Sequence, residues 1–169
     1  MIIVVYSDTH GDYEAFETMI KQNQDVDAIY SLGDNGFPEA YLKQYHVISV
    51  KGNYPYAPQN PLIRSEKWFN KWFFFTHGHK YHVKFGLSTL KQTASVLRMD
   101  VCFFGHTHHA YLNKIKDLLM INPGALSYYR SHKAPSYARI DITEHQFSVK
   151  IVNLVNQDII KMYNEVKDE

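Results

Sequence analysis

Five short apolar runs in this chain end alike, and that repetition constrains the fold more than any other feature. Val4-Val5-Tyr6 leads into Ser7-Asp8-Thr9-His10, Ile29-Tyr30 into Ser31-Leu32-Gly33-Asp34, and Phe73-Phe74-Phe75 into Thr76-His77-Gly78-His79. Val101-Cys102-Phe103-Phe104 leads into Gly105-His106-Thr107-His108, and Val47 to Val50 runs through Lys51-Gly52 to the carboxamide of Asn53. Residues 1–6 are β-branched and aromatic without polar alternation, which marks a strand covered on both faces. Each run therefore delivers oxygen or nitrogen ligands at a strand end. In an extended segment residues i and i+2 share a side, so His106 and His108 can aim two imidazoles at one point.

The segments between these runs have helical spacing. Tyr13, Phe16, Met19 and Ile20 recur three and four apart, predicting an amphipathic helix over 12–22, and Pro38 opens a shorter one to 44. With strands at 27–32 and 46–50 the order is β-α-β-α-β. Such alternation predicts right-handed crossovers and a parallel sheet with ligands at the strands' carboxyl ends. Prolines 55, 58 and 61 mark a loop over 54–61. Segments 62–69 and 71–76 read as strands turning at Asn70-Lys71, and 87–98 as a helix with Leu87, Leu90, Ala94 and Leu97 on one stripe. After His109, segments 111–115, 118–122, 136–142 and 146–154 read as short antiparallel strands of a second sheet. Residues 158–169 read as a terminal helix or frayed tail. Neither a repeat nor a linker interrupts the chain, so 1–169 is expected to be one domain.

Lys and Arg number 18 against 17 Asp and Glu, a net charge of +1, which offers no broad cationic field and disfavours nucleic acid as a partner. Lys51, Lys80 and Arg130 are the cations placed beside the motifs. The lone cysteine, Cys102, sits in an apolar run and reads as a core residue. No segment resembles a signal peptide or reaches the roughly 20 apolar residues of a membrane span, so a cytoplasmic protein is expected. Whether the chain forms a dimer or tetramer is left open.

Any single motif of this kind is weak, since polar residues at strand ends usually cap or hydrogen-bond. Together, Asp8, His10, Asp34, Asn53, His77, His106 and His108 exceed what one tetrahedral ion takes and suit two ions if Asp34 bridges. This hard oxygen and nitrogen set without thiolate favours manganese, iron, nickel or zinc over a cysteine-type structural zinc. A pair of ions about 3.5 to 4 Å apart is the clamp used for in-line displacement at phosphorus, so phosphate-ester hydrolysis is the predicted chemistry.

In order, Ser7-Asp8-Thr9-His10-Gly11, Gly33-Asp34, Gly52-Asn53, Thr76-His77-Gly78-His79 and Gly105-His106-Thr107-His108 resemble the motif blocks of the calcineurin-like metallophosphoesterases. The short length and Asn122-Pro123-Gly124 look most like the small single-domain phosphodiesterases of the YfcE type. The resemblance implies a four-layer αββα sandwich of two mixed β-sheets. It implies one metal site of Asp8, His10, Asp34 and His108, and a second of Asp34, Asn53, His77 and His106. A hydroxide bridging two divalent ions, manganese foremost, would attack a phosphodiester in preference to a phosphomonoester. Asp34, Asn53 and His79 would be catalytic, with Asn53, His79, His109 and Tyr54 against the substrate.

One block departs from the family pattern. Gly52-Asn53-Tyr54-Pro55 stands where larger members carry Gly-Asn-His-Asp or Gly-Asn-His-Glu, so the imidazole that protonates the leaving group has no counterpart. Slow turnover on poor leaving groups and faster turnover on aryl esters is the consequence. The same departure supports an alternative, an interaction scaffold like the retromer subunit of this fold. Tyr54, Tyr56, Tyr81, Tyr111, Tyr128 and Tyr129 fall in loops that could border the site, where core or edge packing is the plainer role of each. His46, His82, His132 and His145 have no constellation around them and receive no role.

Overall fold

Alternation along β1 (Ile2–Tyr6) sets the layer order: Ile3 and Val5 enter one core while Val4 and Tyr6 enter another. The computed structural model describes residues 1–54 and 59–166, so the expected loop prolines 55 and 58, and Tyr56, lie outside the described residues. β1 pairs in parallel with β2 (Ala28–Ser31), which pairs in parallel with β3 (Ile48–Ser49), as the β-α-β-α-β spacing requires. The crossovers are α1 (Tyr13–Gln22) and α2 (Glu39–Gln44). Asp12 caps α1 by accepting from the Ala15 amide at 3.1 Å, satisfying a backbone donor left open by the first turn. The other oxygen of Asp12 accepts from the Tyr128 amide at 2.8 Å and ties that helix to a loop late in the chain.

The second sheet begins with the hairpin of β4 (Ile63–Trp68) and β5 (Lys71–Thr76). Trp68 pairs with Lys71, so the turn is Phe69-Asn70, one residue earlier than expected, with Phe69 left-handed at φ 53°. α3 (Ser88–Val96) follows, burying Leu90 and Ala94; Leu97 lies past its end and is exposed. Next come β6 (Val101–Phe103), β7 (Ala110–Ile115), β8 (Leu118–Pro123), β9 (Ser136–Ile142) and β10 (Gln146–Asn153).

Two expectations for the last third of the chain need correction. The strands after His109 do not form one sheet: β7 and β8 join β4, β5 and β6, whereas β9 and β10 return to pair with β1. The segment expected to be a terminal helix or tail is β11 (Ile159–Val166), an edge strand antiparallel to β10. Its adjacent Ile159 and Ile160 hide the strand period, because an exposed edge need not alternate. A 2.6 Å ion pair from Lys71 to Glu165 fastens it to the opposite sheet.

The result is two mixed sheets, β11-β10-β9-β1-β2-β3 and β4-β5-β6-β8-β7. Between them lies a core of Ile3, Val5, Tyr30, Phe73, Phe75, Phe103, Ile121 and Ile140. α1 and α2 cover the first sheet through Phe16, Met19 and Leu42, and α3 covers the second against Phe74 and Cys102, giving the four-layer αββα order. Cys102 is fully buried, as its apolar run predicts. Among the described residues no helix is long and apolar enough to cross a membrane.

Candidate metal centre

The carboxyl ends of β1, β2, β3, β5 and β6 meet at one place, and backbone hydrogen bonds between their loops set the spacing there. The Asp8 amide donates to Gly33 O at 3.2 Å, His10 to Asp34 O at 2.9 Å and Gly11 to Asn35 O at 2.8 Å, lacing the first two loops together. Buried Asn35 accepts from Ser31 Oγ at 2.7 Å and donates to Ser49 Oγ at 3.1 Å, holding the third strand to them. From the other sheet the Gly105 amide donates to His77 O at 3.0 Å, and the His106 amide crosses to Asp8 Oδ2 at 3.0 Å. Gly105 must lack a side chain here, since a Cβ would collide with Ser7 Oγ and press on Asp8 Oδ2. Asp8, His10, Asp34, His106 and His108 all have left-handed backbones, with φ between 50° and 67°. Such geometry is uncommon outside glycine and gathers at functional sites.

All seven residues singled out as ligands come together. Asp8, His10 and His108 form one group and Asp34, His77 and His106 a second, with the ligand atoms of each within 4.8 Å of one another. Asn53 joins the second through Oδ1, 3.0 Å from His77 Nε2. The groups adjoin: His10 Nε2 lies 3.8 Å from Asp34 Oδ2, and His77 Nε2 lies 3.9 Å from Asp8 Oδ1. His77 Nδ1 can only donate to the Leu32 carbonyl, 2.8 Å away, which orients Nε2 into the cluster. There Nε2 faces Asn53 Oδ1, His106 Nδ1 at 3.2 Å and Asp34 Oδ2 at 3.3 Å.

This crowd of acceptors calls for positive charge. Burial works to raise the Asp8 carboxyl, but His10 and His108 beside it overrule that and hold it well below the usual carboxylate range. Asp34 is likewise lowered: burial opposes ionisation and is outweighed by His77 and by the Tyr54 amide, which donates to Asp34 Oδ1 at 2.8 Å. Burial depresses His77, yet Asp34 and Asp8 reverse the sign and raise it. His106 is pushed down to about 4 by burial and by neighbouring His77 and Lys84. Asp8 Oδ1 and both ring nitrogens of His10 are buried without a hydrogen-bond partner among the described residues. Leaving such groups unmet costs about 1–3 kcal/mol each, and a divalent cation would meet Asp8 Oδ1 and the acceptor nitrogen of His10, so the residues present fit metal ions.

The remaining site candidates sit around this cluster. His79 opens a single 3-10 turn, with its ring 5.4 Å from His77 and its Nδ1 buried and unpartnered among the described residues. Tyr54 sets its ring edge-on to His10 at 5.2 Å. His109 packs on His132 with ring centroids 4.0 Å apart, bringing in a histidine that had no sequence role. Two residues that the sequence shows only as members of motifs act in positioning. Ser7 donates to Asp8 Oδ2 at 2.5 Å. Asn122 Nδ2 donates to Gly105 O and Thr107 Oγ1, each at 3.0 Å, clamping the turn between β6 and β7. Its signal was the Asn-Pro-Gly stretch already noticed for the resemblance.

A family model described as a calcineurin-like phosphoesterase superfamily domain matches residues 1–145. The chain belongs to that superfamily. It is 29% identical over 171 residues to the probable metallophosphoesterase YsnB of Bacillus subtilis, covering 98% of this chain and 99% of that protein. A conserved uncharacterized protein of Streptococcus pneumoniae, described as a predicted phosphoesterase, superposes with a TM-score of 0.82 at 25% identity over 97% of each chain. Vps29 of Entamoeba histolytica in complex with zinc superposes with a TM-score of 0.77 at 20% identity over 98% and 99%. That last likeness is one of fold. Membership of the superfamily makes the chain a metal-dependent phosphoesterase, hence a hydrolase.

Proposed function

We propose that this cytoplasmic chain is a phosphodiesterase that works with two divalent ions, manganese foremost. Asp8, His10, Asp34 and His108 would hold one ion, and Asp34, Asn53, His77 and His106 the other, with Asp34 shared. The observation that carries this reading is the convergence of two buried carboxylates and four imidazoles from separate strand ends, with acceptor atoms facing one another. When bound, the ions supply Lewis acidity to phosphoryl oxygens and lower the pKa of water from 15.7 towards about 7.

The chain's own residues position and orient. The Asn53 and Tyr54 amides fix Asp34 Oδ1 at 2.7 and 2.8 Å, leaving Oδ2 directed at His77. His79, whose ring lies 5.4 Å from that of His77, is the hydrogen-bond donor offered to the leaving oxygen. Tyr54 stands where larger relatives carry the imidazole that protonates the leaving group. The fold likeness to Vps29 supports an interaction scaffold as a second reading, but a scaffold gives no reason for orphaned acceptors packed at this density.

Manganese-loaded protein is expected to hydrolyse bis(p-nitrophenyl) phosphate, to lose that activity in EDTA, and to act about 100-fold or more slowly on a dialkyl phosphate, because the imidazole that protonates the leaving oxygen in larger relatives is absent at position 54 and general acid catalysis contributes at least that much. Hydrolysis indifferent to chelator would overturn the two-ion assignment. Equal rates on the two esters would overturn the account of Tyr54.

Asn122→Ala releases the turn that carries His106 and His108. Apparent metal affinity should fall about 10–100-fold, as for other residues that orient ligands. A chelator-competition titration measures it, and unchanged affinity would remove Asn122 from the positioning role.

A further inference from the structure

We propose that the substrate is a short single-stranded oligonucleotide, held by cationic side chains on both flanks of the metal centre. This rests on the phosphodiesterase reading and names its substrate.

Six segments leave the carboxyl ends of the strands that run in parallel: 7–12, 32–38, 50–62, 77–87, 104–109 and 124–135. They hold Lys51, Lys80, Lys84, Arg130 and Lys133, all exposed. Their only carboxylates are Asp8, Asp12 and Asp34, all buried. Every exposed formal charge described on these loops is therefore positive, which the net charge of +1 conceals because the exposed acids lie elsewhere. Lys84 and Lys133 add to Lys51, Lys80 and Arg130, the cations that the sequence places beside the motifs.

The charges sit beside both ligand groups. Lys80 follows His79, whose ring lies 5.4 Å from that of His77 and 6.2 Å from that of His106 in the second group, Lys84 lies on the same loop, and Lys51 stands two residues before Asn53. Lys133 follows His132, whose ring packs 4.0 Å from that of His109, next to His108 of the first group. Two divalent ions already answer the single charge of the scissile diester, so further cations on both flanks answer further anions on both flanks. A mononucleotide polyphosphate would place its extra charge on one side only.

Aromatic faces accompany the charges. Phe85 is 93% exposed beside Lys84, and Tyr129 is 85% exposed beside Arg130. Cations along a backbone with aromatic faces next to them are the pattern that binds single strands, where unpaired bases stack.

The test is fluorescence anisotropy with manganese-loaded protein and a labelled hexathymidylate whose phosphorothioate linkages keep their charge and resist cleavage. Hexathymidylate should bind at least about tenfold more tightly than thymidine triphosphate. Substituting Lys80→Ala, Lys84→Ala and Lys133→Ala together should weaken binding at least about tenfold. It should also flatten the slope of log affinity against log salt by about 2, since each single-strand phosphate contact contributes about 0.7. Lys91→Ala with Lys116→Ala, which line a cavity away from the ligand cluster, should leave both quantities unchanged. Equal affinity for thymidine triphosphate, or a triple variant that binds like the wild type, would overturn the proposal. If wild-type protein hydrolyses the aryl diester in either event, the phosphodiesterase reading stands and only the substrate is wrong.

Discussion

Asp34→Asn is expected to lower kcat/KM on an aryl phosphodiester by about 1000-fold and to reduce bound manganese below two ions per chain. The substitution keeps size and shape and removes one charge. Asp34 Oδ1 is already taken by the Asn53 and Tyr54 amides, so Oδ2, lying between His10 and His77, is the oxygen whose charge the centre needs. An amide group there places either a neutral oxygen or an NH2 donor at that point. Divalent ions contribute several kcal/mol of transition-state stabilisation, and each 1.36 kcal/mol is tenfold in rate, which sets the expected loss. Metal analysis of the purified variant alongside kinetics separates a lost ion from a misplaced one. Full activity with two ions retained would show that Asp34 is not shared.

Phe75→Ala should cost about 3–5 kcal/mol and lower the melting temperature by roughly 10 °C. The ring lies between Tyr30, stacked at 4.7 Å, and Phe103, stacked at 5.1 Å, so it joins three strands across the two sheets. It is 1% exposed, in the core between the sheets. Calorimetry measures the shift. A drop of only a degree or two would mean that the inter-sheet core collapses around the gap far more readily than packed interiors do.

Much of this was legible in the sequence because burial and ligation both leave local marks. Apolar runs identified β1, β2, β3, β5 and β6, and their polar ends named all seven converging residues. What escaped was set by contacts distant in sequence. β9 and β10 belong beside β1 because Val5 pairs with Ala138, and no local pattern encodes a partner more than 130 residues away. β11 was lost because its exposed face removes the alternation that a half-buried strand shows. Asn122 was visible as part of a motif, but its work, bonding the 105–107 turn, depends on β8 inserting between β6 and β7. Lys84 and Lys133 were missed because total charge averages over surfaces that the fold segregates.

The left-handed backbone at five liganding positions also limits which mutations the centre can survive. Valine, isoleucine or threonine there would have to abandon that conformation and drag the loops with it, whereas asparagine and glycine occupy it readily. Exchanging aspartate for asparagine needs one nucleotide change, discards a charge and leaves the loop path intact. A lineage can thus extinguish its chemistry in a single step and still pass on an undamaged scaffold for other uses.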